Sequence, residues 1–319
     1  MSNNLTQNEV SGVLLINKPS GMTSHDVVNR IRRLYNTRRV GHTGTLDPMA
    51  TGVLVVLVGR AAKAAEYLSH DTKEYIATLK LGIMTDTEDT TGNVLSSVPD
   101  TSLPSSEDVI NICNSFIGEI LQTPPMYSAL KVGGNKLCDI ARSGGVVERE
   151  ARPIKIFKLE CSPTANASEY TLRVRCSGGT YIRTLCADIG QTLGCGGAMA
   201  SLCRVETSGF PIEECYTLEQ LEALDFKDLS AKLLPIERLF AELPSFTPPQ
   251  FYVGLSRNGC VMYQKKVGTS LPVGCRVRLY DAAKGNIFYA LGEVGEYPDS
   301  DAAPEGDQTA IKVIKLFDL

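Results

Sequence analysis

One stretch near the N-terminus constrains the fold of this chain more than any other. Residues Gly41 to Leu54 (GHTGTLDPMATGVL) place a short polar loop directly before an apolar run, Val53 to Val58. That run is short, continuous and rich in β-branched residues, which is typical of a buried strand. Asp47 precedes Pro48, so its backbone is kept out of the α region. The pattern predicts a carboxylate held in a loop beside a buried strand, although Asp-Pro is also an ordinary turn signal.

Length and composition indicate a globular protein with a sizeable core. The 319 residues suffice for one large domain and a small one, and the 43% hydrophobic and 21% charged contents are ordinary. No apolar run approaches the roughly 20 residues of a membrane span. The polar segment Met1 to Ser11 lacks the pattern of a signal peptide, so we expect a flexible tail and a cytoplasmic protein without membrane contact.

The ten cysteines do not follow a metal-binding or disulfide pattern. They are scattered, with no C-x-x-C pair and no histidine at ligand spacing, so we expect reduced thiols and no zinc site. The loop Gly82 to Gly92 contains three acids, Asp86, Glu88 and Asp89, but it lacks the glycine and distal glutamate of an EF-hand. The sequence therefore predicts no bound metal.

The formal net charge of −4 conceals an uneven distribution of charge. Residues 1–80 contain ten Lys or Arg against six Asp or Glu, whereas the remainder is acidic. A basic face on an acidic protein can follow nucleic-acid phosphates, although solvated surface charge gives the same pattern. The first basic cluster consists of Arg30, Arg32, Arg33, Arg38 and Arg39. The second basic cluster consists of Lys131, Lys136, Arg142, Arg149, Arg152 and Lys155.

Alternating and helical patterns predict the main elements. We expect strands at Gly12 to Asn17, Glu74 to Leu81 and Glu169 to Cys176. We expect helices at Ser24 to Tyr35 (capped by Thr23 or Ser24), Ala61 to Leu68, Ser106 to Gly118, Lys136 to Ser143 and Thr217 to Ala223, with one more directly after the Ser177–Thr180 turn. The fold class is α+β, with a mixed or antiparallel sheet and flanking helices.

The proline-rich stretch Pro244 to Gln250 is the best candidate for a domain boundary. It predicts a catalytic domain over 1–245, with 1–11 as its tail, and a small domain over 246–319. The small domain is expected to be β-rich, with short strands at Val277 to Tyr280, Ile287 to Ala290 and Ala310 to Leu316. Residues 296–307 are expected to form a polar loop.

Several motifs in order resemble the TruB family, the tRNA pseudouridine-55 synthases. They are K-P-x-G-x-T-S from Lys18, G-H-T-G-T-L-D-P-M-A-T-G-V-L from Gly41, K-E-Y-x-A from Lys73, P-P-M-Y-S-A-L-K-V-G-G from Pro124 and S-G-G-T-Y-I-R from Ser177. The resemblance covers most of residues 12–210. It implies that the C-terminal part is a PUA-like domain, mainly from its position.

The resemblance also implies roles for particular residues. Asp47 matches the family's catalytic aspartate, and Arg183 the arginine that pairs with it. Tyr75 matches the tyrosine that stacks on the target base, Tyr181 and Leu202 match residues beside that base, and His42 matches the residue that fills the vacated space in the RNA. Lys18 and Pro19 are given a supporting role. The chain departs from the family at Ala198 and Cys203, where a histidine and an arginine are usual, which puts one phosphate contact in doubt.

The implied activity is isomerisation of uridine to pseudouridine in the T-loop of tRNA, at position 55. The base leaves its sugar, turns and is rejoined through C5, so no cofactor is consumed. Three routes stay open for Asp47: attack on C1′, attack on the base, or removal of the C2′ proton. The expected enzyme is a monomer without an obligatory protein partner. The rivals are a non-catalytic tRNA chaperone and a guide-RNA-dependent subunit, against which the intact Asp47, Tyr75 and Arg183 set and the P-P-M-Y-S-A-L-K-V-G-G segment argue.

Overall fold

A computed structural model describes residues 10–68, 72–128, 130–297 and 308–317. For Lys131, Val132, Asn135, Lys136, Cys138 and Arg142 it describes the backbone alone. The predicted tail 1–11 and loop 296–307 therefore lie largely outside the described residues. Among the helices described, none is both long and apolar enough to cross a membrane.

The described residues form eighteen strands, which are distributed over one large sheet, one small sheet and two two-stranded sheets. They are β1 (Gly12–Lys18), β2 (Val40–His42), β3 (Thr51–Val58), β4 (Lys73–Leu81), β5 (Ile83–Thr85), β6 (Val94–Ser97), β7 (Gly118–Gln122), β8 (Lys131–Val132), β9 (Asn135–Lys136), β10 (Arg152–Pro163), β11 (Glu169–Cys176), β12 (Gly197–Thr207), β13 (Phe210–Pro211), β14 (Ser245–Phe246), β15 (Met262–Tyr263), β16 (Arg276–Asp281), β17 (Ile287–Glu296) and β18 (Thr309–Leu316).

The helices lie on the faces of these sheets. They are α1 (Ser24–Leu34), α2 (Ser106–Ser115), α3 (Leu137–Arg142), α4 (Ile182–Thr192), α5 (Leu218–Glu222), α6 (Phe226–Ser230), α7 (Gln250–Arg257) and α8 (Gln264–Val267). Thr23 is the N-cap of α1 and forms a capping box with Asp26. Thr217 and Gln220 form the predicted capping box of α5.

The large sheet has the order β1-β3-β12-β4-β11-β10-β7, with β2 beside β3 and β13 beside β12. Its pairs are antiparallel except for β3 and β12, so the sheet is mixed, as predicted. Gly52 makes the parallel contact possible. Its φ is +98°, and a Cβ there would lie 2.2 Å from the carbonyl oxygen of Arg204. A side chain would therefore separate the loop of Asp47 from β12.

Apolar residues of the sheet are buried on the predicted face. Tyr75, Ala77, Leu79 and Leu81 alternate along β4 and belong to one core cluster with residues of α2 and α4. On the other half of the sheet, Val27, Val28 and Ile31 of α1 pack against β1 and β3. The predicted strand alternation and helix periodicity are both confirmed.

Several predicted helices differ from the observed ones, and α1 and α5 are shorter by single residues at their ends. The segment Gly59–Tyr67 is a 3₁₀ helix in place of the expected helix at Ala61 to Leu68. Its buried residues, Ala61 and Ala64, are three apart, which suits the tighter helix. Helix α2 ends at Ser115 because Gly118, with a φ of +118°, already begins β7. Helix α3 is one residue shorter at each end than expected.

The C-terminal part forms a five-stranded sheet in the order β14-β16-β17-β18-β15. The three predicted strands are present, but α7 is a helix that the sequence analysis missed. Phe288 and Phe317 of this unit pack with Phe240, in a cluster shared with β1 and β3. The boundary between residues 245 and 246 stays a prediction, since β14, the first strand of the small sheet, spans it.

Candidate active site

The loop between β2 and β3 is fixed by the segment that follows β1. The Lys18 ammonium is fully buried and donates to the carbonyl oxygens of Met22 (2.6 Å), Pro19 (2.9 Å) and Pro48 (3.2 Å). Ser24 accepts from the backbone N–H of Leu46 at 2.9 Å. These bonds hold the residues on both sides of Asp47, so the supporting position predicted for Lys18 agrees with the structure.

Asp47 forms a bidentate ion pair with Arg183. The Nε of Arg183 lies 2.9 Å from Oδ2 of Asp47, and Nη2 donates to Oδ1 at 3.2 Å. The arginine side chain is 5% exposed, whereas the aspartate remains 34% exposed. Burial raises the pKa of Asp47, and the Arg183 guanidinium opposes that shift by favouring the carboxylate. The carboxylate is thus oriented by a charge and still accessible.

Arg183 is itself held by two other segments. It is in the first turn of α4 and donates to the carbonyl oxygens of Thr87 (3.1 Å) and Tyr127 (2.9 Å). Asp89 is a more distant partner at 3.8 Å. The guanidinium therefore links the Asp47 loop, the 82–92 loop and the segment before β8. This geometry leaves little freedom to the bidentate pair.

Asp47 opens onto a cavity of about 430 Å³. Five of the six residues expected at the site line it, namely Asp47, Tyr75, Tyr181, Arg183 and Leu202. Tyr75 and Leu202 face it from neighbouring strands and are 6% and 8% exposed. The backbone N–H of Tyr181 donates to the Gln122 side chain at 2.8 Å, and its carbonyl oxygen accepts at 3.0 Å. The lining thus combines apolar and aromatic side chains with one carboxylate and with the cations Lys73, Arg183 and Arg204.

His42 is the sixth expected residue, and it does not line this cavity. It ends β2, and its Nδ1 is buried without a hydrogen-bond partner among the residues described. Burial lowers the pKa of His42, and the nearby Arg204 adds to the effect. The lowered pKa favours the neutral form of the imidazole. The role of His42 toward RNA stays a prediction.

Sequence reasoning gave no cavity role to three charged or phenolic lining residues, Lys73, Tyr127 and Arg204. Arg204 is only 1% exposed. Its Nε donates to the carbonyl oxygen of Val53 at 2.7 Å and its Nη2 to that of Gly44 at 3.1 Å. The sequence did contain a signal for this position. Arg204 follows Leu202 by two residues on β12, and alternation along a strand puts both side chains on one face.

The departures from the family pattern lie on the same strand. Ala198 is fully buried, and Cys203 is partly buried opposite Ile76 of β4.

None of the nine cysteines whose side chains are described is in a disulfide. In the described part of the chain no group of His, Cys, Asp or Glu is arranged to hold a metal ion. Asp86 and Asp89 instead accept hydrogen bonds within their own loop, from Asn93 and Thr91 among others.

None of the basic-cluster residues whose side chains are described lines the cavity. In the first basic cluster, Arg33, Arg38 and Arg39 are exposed, while Arg30 pairs with Glu222 at 3.3 Å. In the second basic cluster, Lys155 pairs with Glu119 at 3.2 Å and Arg149 donates to the carbonyl oxygen of Pro124. The side chains of Lys131, Lys136 and Arg142 are outside the described atoms.

The same fold occurs in a solved structure of a Cbf5-Nop10-Gar1 complex. The chains are 26% identical, with a TM-score of 0.71 over 96% of this chain and 85% of the other. A structure of an H/ACA RNP bound to a substrate RNA containing 2′-deoxyuridine shares the fold at 23% identity and a TM-score of 0.70. A model of the "TruB family pseudouridylate synthase (N terminal domain)" matches residues 32–182. Fold and family model together define a pseudouridine synthase.

Two similar relatives are named tRNA pseudouridine synthase B. The one from Francisella tularensis is 41% identical over 89% of this chain and 91% of its own length. The one from Opitutus terrae is 45% identical over 72% of this chain and 94% of its own. A model of the "tRNA pseudouridylate synthase B C-terminal domain" matches residues 183–241. The chain belongs to the TruB family of pseudouridylate synthases.

Proposed function

We propose that the protein isomerises uridine to pseudouridine at position 55 in the T-loop of tRNA, with Asp47 as the catalytic carboxylate. The observation that carries this proposal is the Asp47–Arg183 pair, which opens onto a cavity beside the buried Tyr75. The names of the relatives support tRNA as the substrate class. We further propose that the protein acts as a cytoplasmic monomer, without a guide RNA or protein partner.

The carboxylate must be ionised to act as a nucleophile or base. Arg183 favours the ionised form against the desolvation that burial imposes on Asp47. The same bidentate contact fixes the direction in which the free oxygen lone pairs point. An accessible, oriented and charged carboxylate can serve each of the three routes, since glycosidic-bond chemistry also uses carboxylates in such positions.

The uridine has to leave the base stack before it reaches Asp47. Extrusion of a base costs a few kcal/mol. The Tyr75 ring can replace the lost stacking, which is worth roughly 1–3 kcal/mol per base on an aromatic platform. Tyr181 and Leu202 complete an apolar wall around that ring. The cavity therefore suits one flat base, with the sugar toward Asp47.

Mass-resolved pseudouridine mapping tests the proposal. Purified protein is incubated with unmodified tRNA and nothing else, and the positions of pseudouridine are read. We expect conversion at a single T-loop uridine in the wild type and none in Asp47→Asn. A tRNA chaperone would bind without converting any uridine. A guide-dependent subunit would stay inactive until a guide RNA was added.

A further inference from the structure

Arg204 is a buried cation without an anionic partner among the residues that the structure describes. It lies opposite Tyr75 of β4 and Gly52 of β3, and its side chain lines the cavity of Asp47. Its hydrogen-bond acceptors are the carbonyl oxygens of Val53 and Gly44. No carboxylate of the described residues forms an ion pair with it. These two bonds use Nε and one N–H of Nη2, which leaves three of the five guanidinium N–H donors for other contacts.

This arrangement is energetically costly unless an anion completes it. A buried charge without a counter-ion is strongly unfavourable. Other cations increase the cost, because the buried Lys18 is nearby and Lys73 lines the same cavity. Burial lowers the pKa of Lys18 to about 8, and Arg204 contributes to that shift. Arg183 is already neutralised by Asp47, so the unbalanced positive charge of the cavity is centred on Arg204.

The position of Arg204 relative to Tyr75 indicates where the missing anion would lie. Arg204 and Tyr75 are paired across β12 and β4, and both line the cavity of Asp47. A base stacked on the Tyr75 ring would therefore lie in the same cavity as the guanidinium. A Cβ on Gly44 would lie 3.4 Å from Nη1 of Arg204, so this end of the guanidinium lies beside the loop that contains Asp47.

We propose that Arg204 is a further catalytic residue, whose guanidinium stabilises the negative charge that the uracil acquires during the reaction. The inference rests on the proposed function. It does not depend on the route that Asp47 takes. Cleavage of N1–C1′ leaves the bonding electron pair on the base, whether Asp47 attacks C1′ or removes the C2′ proton. Attack of Asp47 on C6 of the base instead moves an electron pair onto O4.

The charge balance closes without any other reactant. In the two routes that cleave N1–C1′ first, the base carries one negative charge until C5 bonds to C1′, and Asp47 then leaves C1′ or returns its proton to C2′. In the third route Asp47 adds to C6, N1–C1′ breaks with its electron pair left on the base, C5 bonds to C1′, and the carboxylate leaves C6. In each route C5 finally loses its proton and N1 gains one, so the product is an isomer of the substrate. A fixed guanidinium that compensates this transient charge would act as preorganised donors do at an oxyanion.

The dependence of the rate on the leaving base tests this role. Single-turnover rates are measured at saturating enzyme on two T-arm RNAs, one with uridine and one with 5-fluorouridine at the target position, by following loss of the starting nucleoside. Fluorine withdraws electrons and stabilises the base anion by itself. Arg204→Met should slow uridine by about 10²–10³-fold, as removal of one such donor does. The loss on 5-fluorouridine should be about tenfold smaller.

Comparing two substrates on one preparation removes the effect of partial unfolding, because the active fraction cancels. Arg204→Lys keeps the charge and should fall between the wild type and Arg204→Met. Arg173→Met is the matched control, since it removes a guanidinium that is exposed on β11 and paired with Glu74. It should change neither rate by more than about twofold.

Two results would overturn this inference and leave the proposed function intact. Equal losses of Arg204→Met on both RNAs would make Arg204 a structural residue. A loss of RNA affinity with an unchanged rate at saturation would assign it to a phosphate instead. A wild type that makes no pseudouridine from uridine would overturn the proposed function, and this inference with it.

Discussion

The cations around Asp47 and those at the end of α1 carry the same charge in opposite environments. Lys18, Arg183 and Arg204 are 0%, 5% and 1% exposed, and protein oxygens hold each of them at hydrogen-bonding distance. Arg33, Arg38 and Arg39 are exposed on the last turn of α1 and the segment after it. The first set is fixed in a low-dielectric site, and the second is solvated.

Because of this difference, we expect the buried cations to act on the reaction and the exposed cations to act on RNA binding. Electrostatic interactions in a buried site are strong and insensitive to salt, so fixed cations can orient Asp47 and stabilise charge that develops on a substrate. Exposed cations are screened, and they contribute to binding mainly by releasing counter-ions from a nucleic acid. Changes at the buried set should therefore alter rates or stability, whereas changes at the exposed set should alter affinity and its salt dependence.

The largest effect is expected for Asp47→Asn. The amide keeps the shape of the side chain but removes the charge that Arg183 holds and the nucleophile or base. Turnover should fall by at least about 10³-fold, while tRNA affinity changes by less than about threefold. The measurements are a multiple-turnover pseudouridine assay and a binding titration. Asp100→Asn, which neutralises an exposed carboxylate outside the cavity lining, is the control. Substantial activity of Asp47→Asn in a preparation free of wild type would contradict the proposal.

The next largest effect is expected at Tyr75, the cavity residue that we propose stacks on the target base. Tyr75→Leu removes the aromatic face and should weaken base capture by about tenfold or more. Tyr75→Phe keeps that face and should retain most of the affinity. It also deletes the phenol hydroxyl, so a slow chemical step at normal affinity would show that the hydroxyl contributes to the reaction. Near-wild-type behaviour of both variants would leave Tyr75 as a core residue only.

Local patterns in the sequence were sufficient to predict the positions of several residues of this site. The alternation along β4 placed Tyr75 on the buried face, and the Asp-Pro loop before an apolar strand located Asp47. Such signals depend on neighbours along the chain, where steric and hydrophobic rules act directly. The family resemblance added the expected pairing of Asp47 with Arg183, which the structure reproduces at 2.9 Å. The catalytic roles themselves stay predictions.

The remaining features depend on contacts between distant segments. Burial of Arg204 follows from the approach of β12 to β3 at Gly52, and neither residue alone indicates it. The partners of Lys18 include Pro48, on a loop that the fold brings beside the end of β1. Helix α7 was missed because Phe251, Tyr252 and Val253 favour a strand locally, and packing of Val253 in the C-terminal core overrides that preference.

Lys18 should show the buried environment through the pH dependence of stability. Its pKa is lowered to about 8 in the folded protein, from 10.5. Between these values the unfolded chain binds more protons than the folded one, so this lysine makes the folded state more stable as the pH rises through that window. Relative to Lys18→Met, the wild type should gain up to about 1.4 kcal/mol per pH unit above pH 8.

Urea unfolding of both proteins between pH 7.5 and 9.5 measures this difference, and titration of the other groups cancels in it. Lys63→Met, which removes one exposed lysine, is the matched control. Parallel stability profiles for the wild type and Lys18→Met would show that Lys18 is not desolvated. That result would weaken the contrast between the buried and exposed cations.

The smallest effect is expected at the exposed set. If Arg38 and Arg39 neutralise phosphates, log K for tRNA falls with log[salt], and each lost contact reduces that slope by roughly 0.7–0.9. Replacing both with Ala should weaken binding of any tRNA with a T-loop hairpin and flatten the slope by up to about 2. Discrimination against loops without the target uridine should stay unchanged, because the cavity reads the base and the phosphate contacts only position it.

A salt titration of the double variant decides between phosphate contact and solvated surface. Its matched control replaces Lys227 and Lys232 with Ala, which removes two cations in and next to the acidic stretch Glu213 to Asp228. We expect the control to keep the wild-type slope. An unchanged slope in the Arg38 and Arg39 variant would mean that exposure alone does not mark the phosphate path. The second basic cluster would then be tested next, since its Arg149 and Lys155 differ from the exposed arginines. Both already have protein partners, which RNA would have to replace.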